Sequence, residues 1–147
     1  MNDILLPEAG TYIISIKVKK SQNIEIGKIG NFAFIRGCYL YVGSAHGPGG
    51  IRARINRHLR KDKVTHWHID YLRSAGAVTA VLINYSKKKK ECIWAKRLNS
   101  SPLLSTPVER FGSSDCMCLS HLFFSKFDID IQMLKKILKD SFELIIT

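Results

Sequence analysis

The feature that most constrains this chain is a glycine-rich break between an alternating apolar run and a basic helix-forming segment, spanning Tyr39 to His58. Tyr39, Tyr41 and Gly43 alternate with Leu40 and Val42, the period-two pattern of a half-buried strand. Gly47-Pro48-Gly49-Gly50 cannot continue a strand, and Pro48 suits the first position of a helix. Ile51, Ile55 and Leu59 then recur at i, i+4 and i+8, an apolar stripe flanked by Arg54 and His58. Strand, turn and helix in that order predict an α/β domain.

The remaining segments extend this pattern. Gly10-Thr11-Tyr12 opens a strand in which Tyr12, Ile14, Ile16 and Val18 share one face. Lys19 to Asn23 reads as a turn, with Ile24 and Ile26 in a second strand paired back on the first. Phe32 to Arg36 reads as a loop or short strand leading into the Tyr39 strand. His66 to Leu72 starts a short helix or tight turn, and Ala77 to Tyr85 is a buried strand. After Lys87 to Lys90 comes a helix with Glu91, Ala95 and Leu98 on its inner face. A strand at His121 to Ser125 and an amphipathic helix from about Ile129 to Lys139, with Ile131, Leu134 and Leu138 inward, complete the chain. The expected fold is a small, mainly antiparallel sheet of about three to five strands flanked by helices. With 147 residues, no internal repeat and no linker, the chain reads as a single domain over residues 1–147.

Charge bounds the partner. Lysine and arginine number 23 against 12 acidic residues, a net charge of +11, which points to a polyanion, nucleic acid first and an anionic membrane surface second. Apolar residues make up 46%, which argues for a folded protein over a disordered basic tail. Met1 to Gly10 lacks the basic start and apolar run of a secretory signal, and no stretch nears the roughly eighteen apolar residues of a membrane span. The expectation is a cytoplasmic protein with no membrane partner, its Cys38, Cys92, Cys116 and Cys118 kept as reduced thiols.

Gly10-Thr11-Tyr12 and Tyr41-Val42-Gly43, followed by Arg54 and His58 one turn apart and by Glu91 on a later helix, make the sequence resemble the GIY-YIG nuclease superfamily. Tyr41-Val42-Gly43-Ser44-Ala45, Gly47-Pro48-Gly49-Gly50, His66-Trp67-His68-Ile69-Asp70-Tyr71-Leu72 and Gly112-Ser113-Ser114-Asp115-Cys116 look like its DUF123 branch. That domain is found alone or appended to endonuclease III-type repair enzymes. The resemblance implies a metal-dependent, structure-directed DNA endonuclease in repair or recombination, with Mg²⁺ or Mn²⁺ on Glu91 and with Tyr12, Tyr41, Arg54, His58 and Glu91 as catalytic residues. A repair-enzyme partner is a further implication.

The residue types suit that chemistry. Phosphoryl transfer needs positioning and charge neutralisation, which a guanidinium at Arg54 and a carboxylate-held cation at Glu91 provide. A free phenol with a pKa of about 10 is ionised about one part in a thousand at pH 7. Either Arg54 and the metal lower Tyr12 or Tyr41, or His58 is the easier base. Arg52, Arg57, Arg60, Lys61 and Lys63, with Lys88 in the second lysine run, are the expected phosphate contacts, favouring branched or damaged duplex over a fixed base sequence.

Plainer readings stand beside these. Tyr12 and Tyr41 suit a sheet core, Arg54 a basic helix surface, and Glu91 a solvated helix pair. The alternative function is a non-catalytic nucleic-acid-binding accessory module that keeps the fold. A zinc-stabilised interaction domain is a third reading, resting on Cys116-x-Cys118-x-x-His121 with Cys38, Cys92, His66 or His68 as fourth ligand. That spacing matches none of the common zinc patterns, so buried free thiols with a core histidine are the preferred reading and zinc is not expected. For His68 the default is a hydrogen bond to Asp70 or to backbone, with a supporting role near the active site as the minority reading. Gly47 to Gly50 lacks the lysine and serine of a phosphate-binding loop and reads as a turn into the helix.

Overall fold

The computed structural model describes residues 4–60, 65, 67–128 and 130–147. Its elements are β1 (Gly10–Val18), β2 (Gln22–Ile26), β3 (Gly30–Phe34), β4 (Gly37–Ala45), α1 (Gly50–Leu59), α2 (His68–Ala75), β5 (Ala77–Tyr85), α3 (Glu91–Asn99), β6 (Leu122–Ser125), α4 (Ile131–Leu138) and β7 (Glu143–Ile146). Five strands form one sheet in the order β6-β4-β1-β5-β7, every neighbour antiparallel. The mixed α/β class and the antiparallel sheet match the sequence expectation. Among the described residues, no helix is long and apolar enough to cross a membrane.

Alternation along the central strands builds two cores. Tyr12, Ile14 and Ile16 of β1 and Tyr39 and Tyr41 of β4 pack with Ile51 and Ile55 of α1 and Ile69 and Leu72 of α2. Ile13, Leu40 and Val42 point the other way, against Trp94 and Leu98 of α3 and Leu134 and Leu138 of α4. Helices therefore cover both faces, and the period of two in β1 and β4 decides which side chain meets which layer.

Two strand expectations are corrected. The Ile24 strand does not pair back on β1, because β4 and β5 take both of its edges. β2 pairs with β3 instead, as a separate two-stranded sheet. β7 is absent from the sequence reading because most of it is exposed, so it carries no alternation. It joins through backbone pairing to Ala80–Ile83. α1 starts at Gly50, leaving Pro48 in the preceding turn.

The turn into α1 is packed shut. Gly50 has φ +53, and a Cβ there would sit 2.4 Å from the Glu8 carbonyl oxygen. The first helical N–H groups, of Ile51 and Arg52, donate to the carbonyls of Glu8 and Leu6 at 2.9 and 3.1 Å. The donors that could cradle a phosphate are thus used by the chain itself. At the other end of α1, the buried Arg73 donates to the carbonyls of His58 (3.2 Å) and Leu59 (3.0 Å). A cation there complements the negative end of the helix.

Asp140 ties α3 to the end of α4. It accepts from Lys90 Nζ at 3.0 Å and from Trp94 Nε1 at 3.1 Å. Burial works to raise its pKa, but these hydrogen bonds and the Lys90 charge outweigh it and hold it below the ordinary 3.8. Asp140→Ala should cost about 2 kcal/mol, the loss of charge-assisted hydrogen bonds to a mostly buried carboxylate. Because the folded pKa is depressed, the contribution is complete above the ordinary value and lost as pH falls through the folded one. Urea unfolding of both proteins across that range should show the stability gap closing below pH 3.8.

Candidate active site and an adjoining thiol cluster

β6 covers only Cys38–Tyr41 of β4. Beyond it, the Val42 N–H donates to the His121 carbonyl at 2.9 Å, and the strand runs on to Ser44 with no further partner from β6. Glu91, the first residue of α3 in the opposite helix layer, reaches this open edge. Ser44 Oγ donates to Glu91 Oε2 at 2.8 Å, and Arg54 Nη1 from α1 donates to the Ser44 carbonyl at 3.0 Å. Ser44 thereby joins a carboxylate from one face of the sheet to a guanidinium from the other.

Tyr12, Tyr41, Arg54 and Glu91 line one cavity of about 290 Å³, with Trp67, His68 and Asp115 also on its wall. His58 lies behind it, buried, with Nε2 2.8 Å from the Tyr12 hydroxyl. The five catalytic candidates read from the sequence thus meet in one place. Gly43 makes this fit possible. It is the register partner of Tyr12, and a Cβ on it would lie 2.4 Å from the Tyr12 hydroxyl.

Burial dominates the phenols. It pushes the Tyr12 pKa well up although Arg54 pulls the other way. It also raises Tyr41, with Tyr12 and Glu91 adding to the effect. The expected lowering by Arg54 is therefore overridden, because desolvation of a fully enclosed oxygen outweighs one neighbouring cation. Glu91 goes the other way. Burial opposes its ionisation, but His121, with Nδ1 2.9 Å from Oε1, the Ser44 hydrogen bond and the Arg54 charge bring its pKa down. Burial lowers the pKa of His68. Its Nδ1 accepts from the Gly112 N–H at 2.8 Å, so Nε2 carries the proton of the neutral ring.

The basic residues divide. Arg57 makes a two-pronged bond to Asp70 at 3.0 and 2.8 Å and lies 3.9 Å over the Trp67 ring. These contacts tie α1 to α2, with the planar guanidinium matched to the carboxylate on one side and to the ring on the other. Arg54 lies 4.5 Å from the same ring. Arg52 donates Nε to the Leu5 carbonyl; Arg60 and Lys88 are on the surface. Lys61, Lys63 and His66 lie outside the described residues.

Three residues escaped sequence reasoning as participants in the cavity: Ser44, Trp67 and His121. Ser44 and Trp67 sit inside stretches that carry the family resemblance, which was the available signal. His121 stood out only in the Cys116-x-Cys118-x-x-His121 run, since folding alone brings its Nδ1 to 2.9 Å from Glu91 Oε1.

The other side of His121 opens on a second group. Its Nε2 is 3.5 Å from Cys116 Sγ, and the donor atoms of Cys92, Cys116, Cys118 and His121 all lie within 4.8 Å of one another. Burial and the hydrogen-bonded Cys92 and Cys116 push the Cys118 thiol up to about 12. The four cysteines are free thiols, as expected from the sequence, with Cys38 and Cys118 buried and Cys92 and Cys116 half-buried, and three of them converge on His121. Cys92 supplies the missing fourth donor, whereas Cys38 bonds to Ser15 Oγ at 3.2 Å and His68 belongs to the cavity. Such a cluster could hold a metal ion.

The sequence profile described as "Domain of unknown function DUF123" matches residues 11–143. The chain belongs to the DUF123 family. No curated protein and no solved structure matches it. The DUF123 span takes in every residue of the cavity and every member of the thiol cluster.

Gly43→Ala should cost about 1–3 kcal/mol, because the Tyr12 ring must move within a packed core. Gly47→Ala, where an added Cβ meets nothing within 4 Å, should change stability by less than about 0.5 kcal/mol. Equal urea midpoints for the two variants would contradict the role given to Gly43.

Proposed function

We propose that this DUF123 domain is a GIY-YIG-type, metal-dependent endonuclease that hydrolyses phosphodiester bonds in branched or damaged DNA. The observation that carries the reading is the passage of Glu91 around the open edge of β4 into the cavity that holds Arg54 and the Tyr12–His58 pair.

The residues fit a hard divalent ion. Glu91 is an ionised carboxylate on a polar cavity, each oxygen has a lone pair beyond its bond to Ser44 or His121, and Asp115 offers a second carboxylate on the same wall. Mg²⁺ or Mn²⁺ needs no more than this from protein, since water and phosphate oxygens complete its shell. When bound, it would neutralise phosphate charge and make the attacking water more acidic.

The chain's own groups do the rest. Arg54, fixed by the Ser44 carbonyl and by Trp67, offsets the charge that grows on a non-bridging phosphate oxygen. Tyr12 need never exist as a free tyrosinate. Its hydroxyl takes the proton of the attacking water as it hands its own to His58 Nε2, so the buried pair accepts one proton without isolating a charge on the phenol. Tyr41 packs beside this pair, and His68 presents a neutral N–H to the leaving oxygen. Affinity comes from surface cations such as Arg60 and Lys88, which read phosphate and shape.

One observation favours the rival reading, a nucleic-acid-binding accessory module: burial holds both tyrosines protonated. Purified protein with Mg²⁺ or Mn²⁺ and branched DNA separates the two. Cleavage should fall at least about 100-fold in Arg54→Ala and in Glu91→Gln, and about 100-fold in Tyr12→Phe. Equal cutting by all four proteins would place the chemistry elsewhere, and salt-dependent binding without cutting would select the accessory module.

A further inference from the structure

We propose that Cys92, Cys116, Cys118 and His121 form a closed structural zinc site, with His121 Nε2 on the metal and Nδ1–H donating to Glu91. The site lies behind the cavity wall and requires no cleavage activity.

The donor set is the first argument. Three thiolates and one imidazole are soft and borderline ligands that select zinc, and four protein ligands leave no open position, the mark of a structural site. Geometry is the second. Tetrahedral zinc with Zn–S bonds of about 2.3 Å sets its ligand atoms about 3.8 Å apart. Cys116 Sγ and His121 Nε2 are already at 3.5 Å, and no pair in the group exceeds 4.8 Å. Side-chain shifts of about 1 Å complete the tetrahedron. His121 and Cys118 are buried and Cys92 and Cys116 half-buried, so the ion would be shielded from water.

The surroundings also match. Metal binding releases the three thiol protons to solvent and leaves a complex of net charge minus one. The Arg110 guanidinium donates to the carbonyls of Cys116 and Cys118 at 3.1 and 3.2 Å. It fixes the ligand loop and brings a compensating positive charge. On the far side of the imidazole, Glu91 Oε1 lies 2.9 Å from Nδ1, the carboxylate–histidine–metal arrangement that settles tautomer and ring orientation. Zinc would thus act on the cavity through His121, making it a fixed donor that keeps the Glu91 carboxylate aimed at Ser44.

The test is metal analysis of full-length protein purified without chelator from zinc-supplemented cells. About one zinc per chain is expected, falling at least about tenfold in Cys118→Ser and Cys92→Ser and persisting in Arg54→Ala, which lies in the cavity away from the thiols, so that loss of zinc and loss of cleavage are read separately. Where the cysteine variants do not fold, the wild-type protein decides. Removal of zinc and addition of Co²⁺ should give the thiolate-to-cobalt charge-transfer bands and visible bands of a tetrahedral site, and four-coordinate S₃N scattering should appear at the zinc edge. Protein free of zinc that gives no such cobalt bands would overturn the proposal, as would a disulfide among Cys92, Cys116 and Cys118 in the protein as isolated.

Discussion

The structure turns on one carboxylate kept ionised where two helix layers meet at the end of a sheet. Glu91 belongs to the layer of α3 and α4, yet its two oxygens are taken by Ser44 and His121, on the opposite flanks of the gap left where β6 ends. Burial alone would raise its pKa, and those two partners with Arg54 bring it below the ordinary carboxylate value. Arg54 completes the balance from the other layer through the Ser44 carbonyl. A half-buried serine near the end of β4 is therefore the joint between the two halves of the site.

The same low-dielectric setting shapes the rest of the chemistry. Enclosure that makes Arg54 and Glu91 strong for each other also holds Tyr12 and Tyr41 protonated. In the proposed reaction a phenol so placed passes a proton on, and His58 is within hydrogen-bond reach to take it. Trp67 covers this corner, with Arg54, Arg57 and His58 all against its ring. Positive charge near the cavity is consequently of two kinds. Arg57 is paired with Asp70, whereas Arg54 lines the cavity.

Most of this was legible where side-chain period is imposed by burial. The alternation of Tyr12, Ile14 and Ile16 and of Tyr39 and Tyr41 gave the faces of β1 and β4, and Ile51 and Ile55 gave the inward side of α1. Gly10-Thr11-Tyr12, Tyr41-Val42-Gly43, Arg54, His58 and Glu91 drew the cavity before any coordinates. What escaped depends on long-range partners. β7 has a mostly exposed surface and is held by backbone pairing, so no pattern announces it. The Ile24 strand pairs with β3 and not with the first strand, because local turn signals do not say which strand edge is free. Arg57 and Arg54 look alike on a helix, and only Asp70 tells them apart. Cys92 and Cys116-x-Cys118-x-x-His121 are separated by a loop, so their meeting depends on where α3 and the start of β6 come to lie.

Crystals grown with Mn²⁺ and measured on both sides of the zinc absorption edge would test the central claim most directly, that Glu91 stands between a hard-cation site and a histidine held from behind. The account predicts a zinc peak among Cys92, Cys116, Cys118 and His121, and manganese density in the cavity on one Glu91 oxygen while the other stays on His121 Nδ1. Manganese bound away from Glu91, or Glu91 turned out of the cavity to become a zinc ligand itself, would contradict it.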